Sequence, residues 1–171
     1  MTGWPTGRSR DGGIDEIPLP RCDGRLWLCG KHVVGPDPEG TLARVGAGVI
    51  VCLTQAGELN DRYPDYVSWL RTSVGDGRAM WFPIDDLHAP DVERAALFID
   101  DVVARLDGGE ALVMHCAAGI GRSGTMAVGV LLAMGMTLDD ALAQVAAHRP
   151  MAGPEVGAQR KLVEALANRR G

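Results

Sequence analysis

The sequence predicts an α/β fold: a central, mostly parallel sheet flanked by helices. Three observations predict it. Short apolar runs at 26–29, 48–53, 79–84 and 111–115 alternate with stretches of helical periodicity. The runs are nearly continuous in apolar residues, as strands covered on both faces are. A chain of 171 residues, 46% hydrophobic and 23% charged, suits one domain around one core and argues against wholesale disorder.

Taken in order, residues 1–20 predict a flexible N-terminal arm, because Gly12-Gly13, Pro18 and Pro20 interrupt any regular element. A single domain then spans 21–171. The run Leu26-Trp27-Leu28-Cys29 predicts a first strand, and GVIVCL at 48–53 a second, rich in β-branched residues. The segment YPDYVSWLR at 63–71 predicts a helix. AMWFPI at 79–84 predicts a third strand whose pairing ends at Pro83. In 91–106, Val92, Ala95, Ala96, Ile99, Val102, Val103 and Leu106 recur at spacings of three and four, which predicts an amphipathic helix stopped by Gly108-Gly109. ALVMH at 111–115 predicts the fourth strand. Helices follow from Arg122 to about Ala133, from an N-cap at Thr137, and from Pro154 toward Asn168. In parallel sheets ligands bind beyond the carboxyl ends of the strands, which singles out the loops after Leu53, Ile84 and His115.

Composition narrows the function. A net charge of −5 does not predict a nucleic-acid surface, which needs clustered Lys and Arg. No apolar stretch is long enough to cross a bilayer, and the first twenty residues hold no apolar core of a secretory signal. The expectation is a chain with neither nucleic-acid nor membrane partners; its oligomeric state is not legible. Cys22, Cys29, Cys52 and Cys116 show no CxxC spacing, so a zinc site or disulfide framework fits poorly and a reduced, cytoplasmic setting is expected.

One segment carries chemistry: HCAAGIGRSGT, from His115 to Thr125, where a buried strand hands over to a helix. A tight loop with Gly119 and Gly121 can turn successive backbone N–H groups inward as an anion nest. The helix behind it adds the positive end of its dipole. Arg122 brings a planar fork able to grip two phosphate oxygens. The same field favours the thiolate of Cys116 over the thiol, which makes it a nucleophile that needs no separate base. The phosphate-binding set is therefore Ala117, Ala118, Gly119, Ile120, Gly121 and Arg122.

This segment resembles the HCxxGxxR[S/T] signature of cysteine-based protein tyrosine and dual-specificity phosphatases, with Ala117 where the tyrosine-specific branch has Ser. The chain length resembles the compact dual-specificity type. Val51-Cys52-Leu53-Thr54 with Gly57-Glu58-Leu59 resembles the kinase-associated phosphatase branch. The resemblance implies two-step phosphoester hydrolysis through a cysteinyl-phosphate, without metal or other cofactor, with Cys116 as nucleophile and Arg122 as clamp. It also implies that Ser123 hydrogen-bonds the cysteine sulfur and that His115 orders the loop.

A leaving alkoxide or phenoxide needs a proton. WFPIDDLHAP at 81–90 resembles the acid loop of small dual-specificity enzymes, in a register that makes Asp86 the acid and leaves Asp85 as the alternative. Either carboxylate could instead cap the 91–106 helix. His88 is a weaker third candidate. Arg149-Pro150 and Gln159 fall where the family has a loop bordering the site, and Gln159 is a candidate for placing the hydrolytic water or a solvent-facing helix residue. Cys52 is a candidate redox partner of Cys116, unless strand alternation turns it away. Phosphoinositide phosphatases of this superfamily tend to carry lysines in the loop; here those positions are Ala117, Ala118, Ile120 and Gly121. The substrate class expected is therefore phosphotyrosine in proteins, with phosphoserine and phosphothreonine open. The alternatives are a silent phosphoprotein-binding module, a phosphatase for a non-protein phosphoester, and arsenate reduction or sulfur transfer on a similar cysteine loop.

Overall fold

In the computed structural model, which describes residues 11–20 and 22–170, five strands form one sheet in the order β1-β2-β5-β3-β4. They are β1 (Ile14–Ile17), β2 (Arg25–Gly30), β3 (Val49–Cys52), β4 (Ala79–Trp81) and β5 (Ala111–Cys116). All pairings are parallel except β1 with β2. The central strand, β5, is flanked by β2 and β3. This is the mostly parallel α/β sheet that the apolar runs predict.

Alternation along the strands divides the core in two. Leu26 and Leu28 of β2, Val49 and Val51 of β3, and Leu112, Met114 and Cys116 of β5 face one core. Helices α4 (Val92–Asp107), α5 (Gly121–Ala133), α6 (Leu138–His148) and α7 (Gly157–Arg170) supply most of the rest, with Ile17 of β1 and Leu53, Ile84 and Ala152 from loops. Trp27, Cys29, Ile50, Cys52 and Val113 face the other core, with Tyr66, Val67 and Leu70 of α3 (Pro64–Gly75). The short helices α1 (Lys31–Val34) and α2 (Pro38–Val45) cover the same side.

The helix signals act as the sequence suggests. Asp91 caps α4 by accepting from Arg94 N–H at 2.9 Å, and Thr137 caps α6 by accepting from Asp140 N–H at 3.2 Å. Because α5 is buried nearly all round, it needs close neighbours: a Cβ at Gly124 would collide with the backbone nitrogen of Gly153. Past Trp81, Phe82 N–H and Ile84 N–H still donate to Cys52 and Leu53 carbonyls at 2.9 Å each, so only Pro83, which has no donor, breaks the ladder.

Several expectations need correction. Residues 11–20 do not behave as a flexible arm, since Ile14–Ile17 pair along β2 and Ile17 is fully buried. Residues 1–10 of the expected arm lie outside the described residues. The last helix begins at Gly157 rather than Pro154, because Glu155 N–H is taken by the Gln159 side chain at 2.8 Å and Gly153 N–H by Ile120 O at 3.1 Å. β1, α1, α2 and a 3₁₀ turn at Ala56–Glu58 were not anticipated.

Candidate active site

The segment 115–125 lies at the carboxyl end of β5, where the fold places ligand sites. The carbonyls of residues 117–120 are each taken by a hydrogen bond from outside the loop or from the helix that follows. Ala117 O accepts from Lys31 N–H at 2.9 Å, Ala118 O from Arg149 Nη2 at 2.9 Å, and Gly119 O from Arg149 Nε at 2.7 Å. Ile120 O accepts from Gly124 N–H at 3.0 Å and Gly153 N–H at 3.1 Å. In a trans peptide the carbonyl and the following N–H point opposite ways. The N–H groups of Ala118, Gly119, Ile120 and Gly121 therefore point into the loop, making an anion nest at the N-terminus of α5. Gly119 sits at φ 76°, and a Cβ there would also collide with the carbonyl of Cys29.

Cys116 is 3% exposed, and Ser123 Oγ donates to its sulfur at 2.9 Å. With Asp86, Leu87, Arg122 and Glu155, among others, Cys116 lines a pocket of about 220 Å³. Arg122 is 2% exposed and held by Glu58, Nη1 and Nη2 each donating to one carboxylate oxygen at 2.8 Å. Nη1 also donates to Ile84 O at 2.8 Å. Of the five guanidinium N–H groups, Nε–H and one on Nη2 make no hydrogen bond to the described residues, with Asp86 Oδ1 3.3 Å from Nη2. They form a side-by-side pair that can grip two phosphate oxygens. Burial alone would raise the Glu58 carboxyl and lower the Arg122 guanidinium. Burial is the largest single influence on each, but their mutual hydrogen bonds and charges, with the Gln55 N–H and Lys31 acting on Glu58 and with Cys116 and Asp86 beside Arg122, together outweigh it, holding Glu58 below and Arg122 above its ordinary value.

The two acid-loop carboxylates part company. Asp86 is 65% exposed, lies 3.3 Å from Arg122 Nη2 and lines the pocket with Cys116. Asp85 accepts from Gln55 Nε2 and faces a separate cleft with Pro83, Ala89 and Arg94. Neither caps α4. His88 Nδ1 donates to Asp86 O at 2.8 Å, and its N–H to Asp85 O at 3.0 Å, closing a turn in which Leu87 takes φ 61°. Gln159 is buried, 1% exposed. Its Oε1 accepts from Glu155 N–H and its Nε2 donates to His88 O at 3.3 Å, so it ties the acid loop to the loop before α7. It is neither a solvent-facing residue nor one of the pocket's lining residues.

Cys52 stands apart from Cys116. It pairs in register with His115 and faces the opposite core, where its sulfur hydrogen-bonds Thr54. Burial pushes its thiol up to about 11. The register works against Cys52 as a redox partner and agrees with the alternative that strand alternation turns it away, because one residue along a strand reverses the face.

His115 is fully buried on that same side. Tyr66 O–H meets its Nε2 at 2.6 Å, and its Nδ1 meets Cys116 O at 3.1 Å. A carbonyl can only accept, so Nδ1 carries the proton and Nε2 accepts from Tyr66. Burial pushes the ring down to about 4. The unfolded chain therefore takes up this proton near pH 6.5 and the native chain only near pH 4. The stability contribution is complete above about pH 6.5 and is lost as pH falls toward 4, on the order of 3 kcal/mol. Denaturant titrations at steps from pH 7 to 5 should show the parent losing stability with a slope that is shallower in His115→Asn.

A strand–loop–helix whose inward N–H groups sit above a buried cysteine, with a buried arginine closing the loop, is the layout of a cysteine-based phosphatase site. Comparison with known proteins gives the family. The chain belongs to the PTP-SAK family, the Swiss Army Knife protein with a DSP-PTPase phosphatase domain, whose model matches residues 29–166. The matched domain is a phosphatase domain of the dual-specificity type. The chain is 31% identical over 118 residues to the Arabidopsis thaliana phosphatidylinositol 3,4,5-trisphosphate 3-phosphatase and protein-tyrosine-phosphatase PTEN1. That match covers 62% of this chain and 29% of the relative, so the chain spans well under half of its length. Among solved structures, kinase associated phosphatase with its catalytic cysteine replaced by serine aligns at a TM-score of 0.77 and 21% identity, over 92% of this chain and 95% of that one. Tk-PTP in its active form aligns at 0.66 and 24% identity, over 90% and 97%. At these identities the likeness speaks for the fold.

The sequence placed Arg149 in a loop bordering the site and Glu58 in a turn resembling the family's, but assigned neither a role. Glu58 carries a faint signal in the GEL turn, and Arg149 in the Arg-Pro that ends α6, but nothing local names their partners.

Proposed function

We propose that the chain hydrolyses phosphomonoesters of proteins, phosphotyrosine foremost, with phosphoserine and phosphothreonine as further substrates, through a cysteinyl-phosphate. The observation that supports a protein substrate is charge. Among the described residues lining the pocket, Arg122 is the single cation, while Asp86 and Glu155 are anions. One phosphate satisfies the nest and the two remaining N–H groups of Arg122. Further phosphates on an inositol ring would meet carboxylates and alanines rather than lysines.

In the proposed reaction, Cys116 Sγ attacks phosphorus while Asp86 gives a proton to the departing oxygen. Water then attacks the cysteinyl-phosphate, Asp86 takes the water's proton, and the S–P bond breaks. Ser123 Oγ–H, already on the sulfur, stabilises the leaving thiolate. We read the setting as cytoplasmic, which four free thiols support.

The test is phosphate release, with EDTA present, from phosphotyrosine, phosphoserine and phosphothreonine peptides beside vesicles carrying phosphatidylinositol phosphates. Peptides are expected to turn over faster, phosphotyrosine first; faster release from the vesicles would replace this reading with a lipid phosphatase. The acid is tested separately. Asp86→Asn is expected to lower kcat by about 10² on an alkyl phosphate and to flatten the basic limb of the pH profile. The loss should be smaller on p-nitrophenyl phosphate, whose leaving group needs less protonation. Asp85→Asn should do less throughout, and the reverse order would move the acid one residue upstream.

A further inference from the structure

Arg149 is the largest of the fully buried side chains, at 0% exposure, and forms the C-cap of α6. A buried guanidinium is costly unless its N–H groups are paired. Here they join two parts of the fold. Nε and Nη2 donate to Gly119 O and Ala118 O, the outward carbonyls that aim the phosphate nest. Nη1 donates to Asp15 Oδ2 at 2.7 Å and to Gly13 O at 3.2 Å. Asp15 lies on β1, and its carboxylate is the acidic partner in the ion pair with Arg149. α6 also reaches the residue after β1, since Gln144 Nε2 donates to Pro18 O at 3.1 Å. Residues 13–18 lie outside the 29–166 that the family model matches, while Arg149 lies inside it.

We propose that β1, through Asp15 and Arg149, is a positioning element of the phosphate loop. The Asp15 carboxylate fixes the rotation of the Arg149 fork, and the fork holds the Ala118 and Gly119 carbonyls outward, so that the N–H groups of Gly119 and Ile120 face the oxyanion. Without the carboxylate, Nη1 loses its charged partner, and the fork is held less firmly against the loop carbonyls. The functional domain therefore starts before residue 14, upstream of its family match. This proposal rests on the loop being the phosphate site and is indifferent to whether the substrate is protein or lipid.

The experiment uses the full chain and compares Asp15→Asn with Ile17→Ala. Ile17 is a buried residue of the same strand, in the core and without a hydrogen bond to Arg149. Three quantities are read: the melting temperature, the inhibition constant of inorganic phosphate against p-nitrophenyl phosphate, and the split between KM and kcat. Asp15→Asn is expected to weaken phosphate inhibition and raise KM by about tenfold, the scale of a hydrogen bond to a charged group, with a smaller change in kcat. Ile17→Ala is expected to lower the melting temperature and leave both constants within twofold of the parent. Asp15→Glu, which keeps the charge on a longer arm, should recover part of the loss; it also stands in, against the parent, should Asp15→Asn not fold. Parental phosphate inhibition in Asp15→Asn overturns the proposal. So does an Ile17→Ala that loses phosphate affinity as much as Asp15→Asn does, because β1 would then be merely structural. A parent that phosphate does not inhibit would overturn the site reading beneath it as well.

Discussion

Cys116→Ser is expected to lose all measurable turnover while keeping the parent's fold and its affinity for inorganic phosphate. The replacement leaves every other element in place. The nest N–H groups are fixed by outward hydrogen bonds to Lys31, Arg149, Gly124 and Gly153, and Arg122 is held by Glu58 and the Ile84 carbonyl; none of these uses the sulfur. What changes is the nucleophile. A serine hydroxyl is not ionised at neutral pH, and neither of the described side chains nearest in sequence and hydrogen bonding can deprotonate it: Ser123 Oγ donates to this position, and His115 faces the opposite core with Nδ1 on a carbonyl and Nε2 on Tyr66. The expected loss is at least about 10⁴ in kcat, the scale seen when an activated nucleophile is removed and only binding and oxyanion stabilisation remain. Phosphate release from an aryl phosphate and calorimetric titration with inorganic phosphate would be run on the same preparation. Turnover within tenfold of the parent would remove Cys116 from the mechanism. Lost phosphate affinity in a folded variant would mean that the sulfur helps shape the nest.

The phosphate loop was legible because its chemistry is contiguous. Nucleophile, nest, clamp and the Ser123 hydroxyl all fall within eight residues, Cys116 to Ser123, where strand and helix geometry dictate their placement. What supports the loop was not legible because it arrives from far along the chain. Glu58 reaches Arg122 across 64 residues and Asp15 reaches Arg149 across 134, and no local pattern announces either pairing. β1 was hidden for a different reason. IDEI is four residues long, mixes charge with apolar character as an edge strand does, and sits among the glycines and prolines that mark loops. Cys52 shows the limit of reading strands without register. Its closeness to the carboxyl end of a neighbouring strand was visible, but the face it takes depends on a pairing that sets it opposite His115 rather than Cys116. For Gln159, helical periodicity alone did not separate a buried tie between two loops from a surface amide.

Arg122→Lys is the second large effect expected, and the structure says why charge alone will not suffice. The guanidinium does two jobs at once: its outer edge is spent on Glu58 and the Ile84 carbonyl, and Nε–H with the remaining Nη2–H is left for the phosphate. An ammonium on an unbranched stem has three donors and no fork, so it can satisfy Glu58 or reach the phosphate but cannot hold both in one plane. The expected loss is about 10²–10³ in kcat, as for removal of a preorganised oxyanion donor, together with weaker phosphate inhibition. Glu58→Gln should lose less. The amide keeps one acceptor for Arg122 and removes the charge that offsets burial of the guanidinium, so the fork is loosened rather than lost. The double variant Arg122→Lys with Glu58→Gln decides whether the two act as a unit. If Glu58 works only by aiming Arg122, the double variant will be no slower than Arg122→Lys alone. Losses that multiply would give Glu58 a role of its own at the pocket, and Arg122→Lys with parental kinetics would place the phosphate elsewhere.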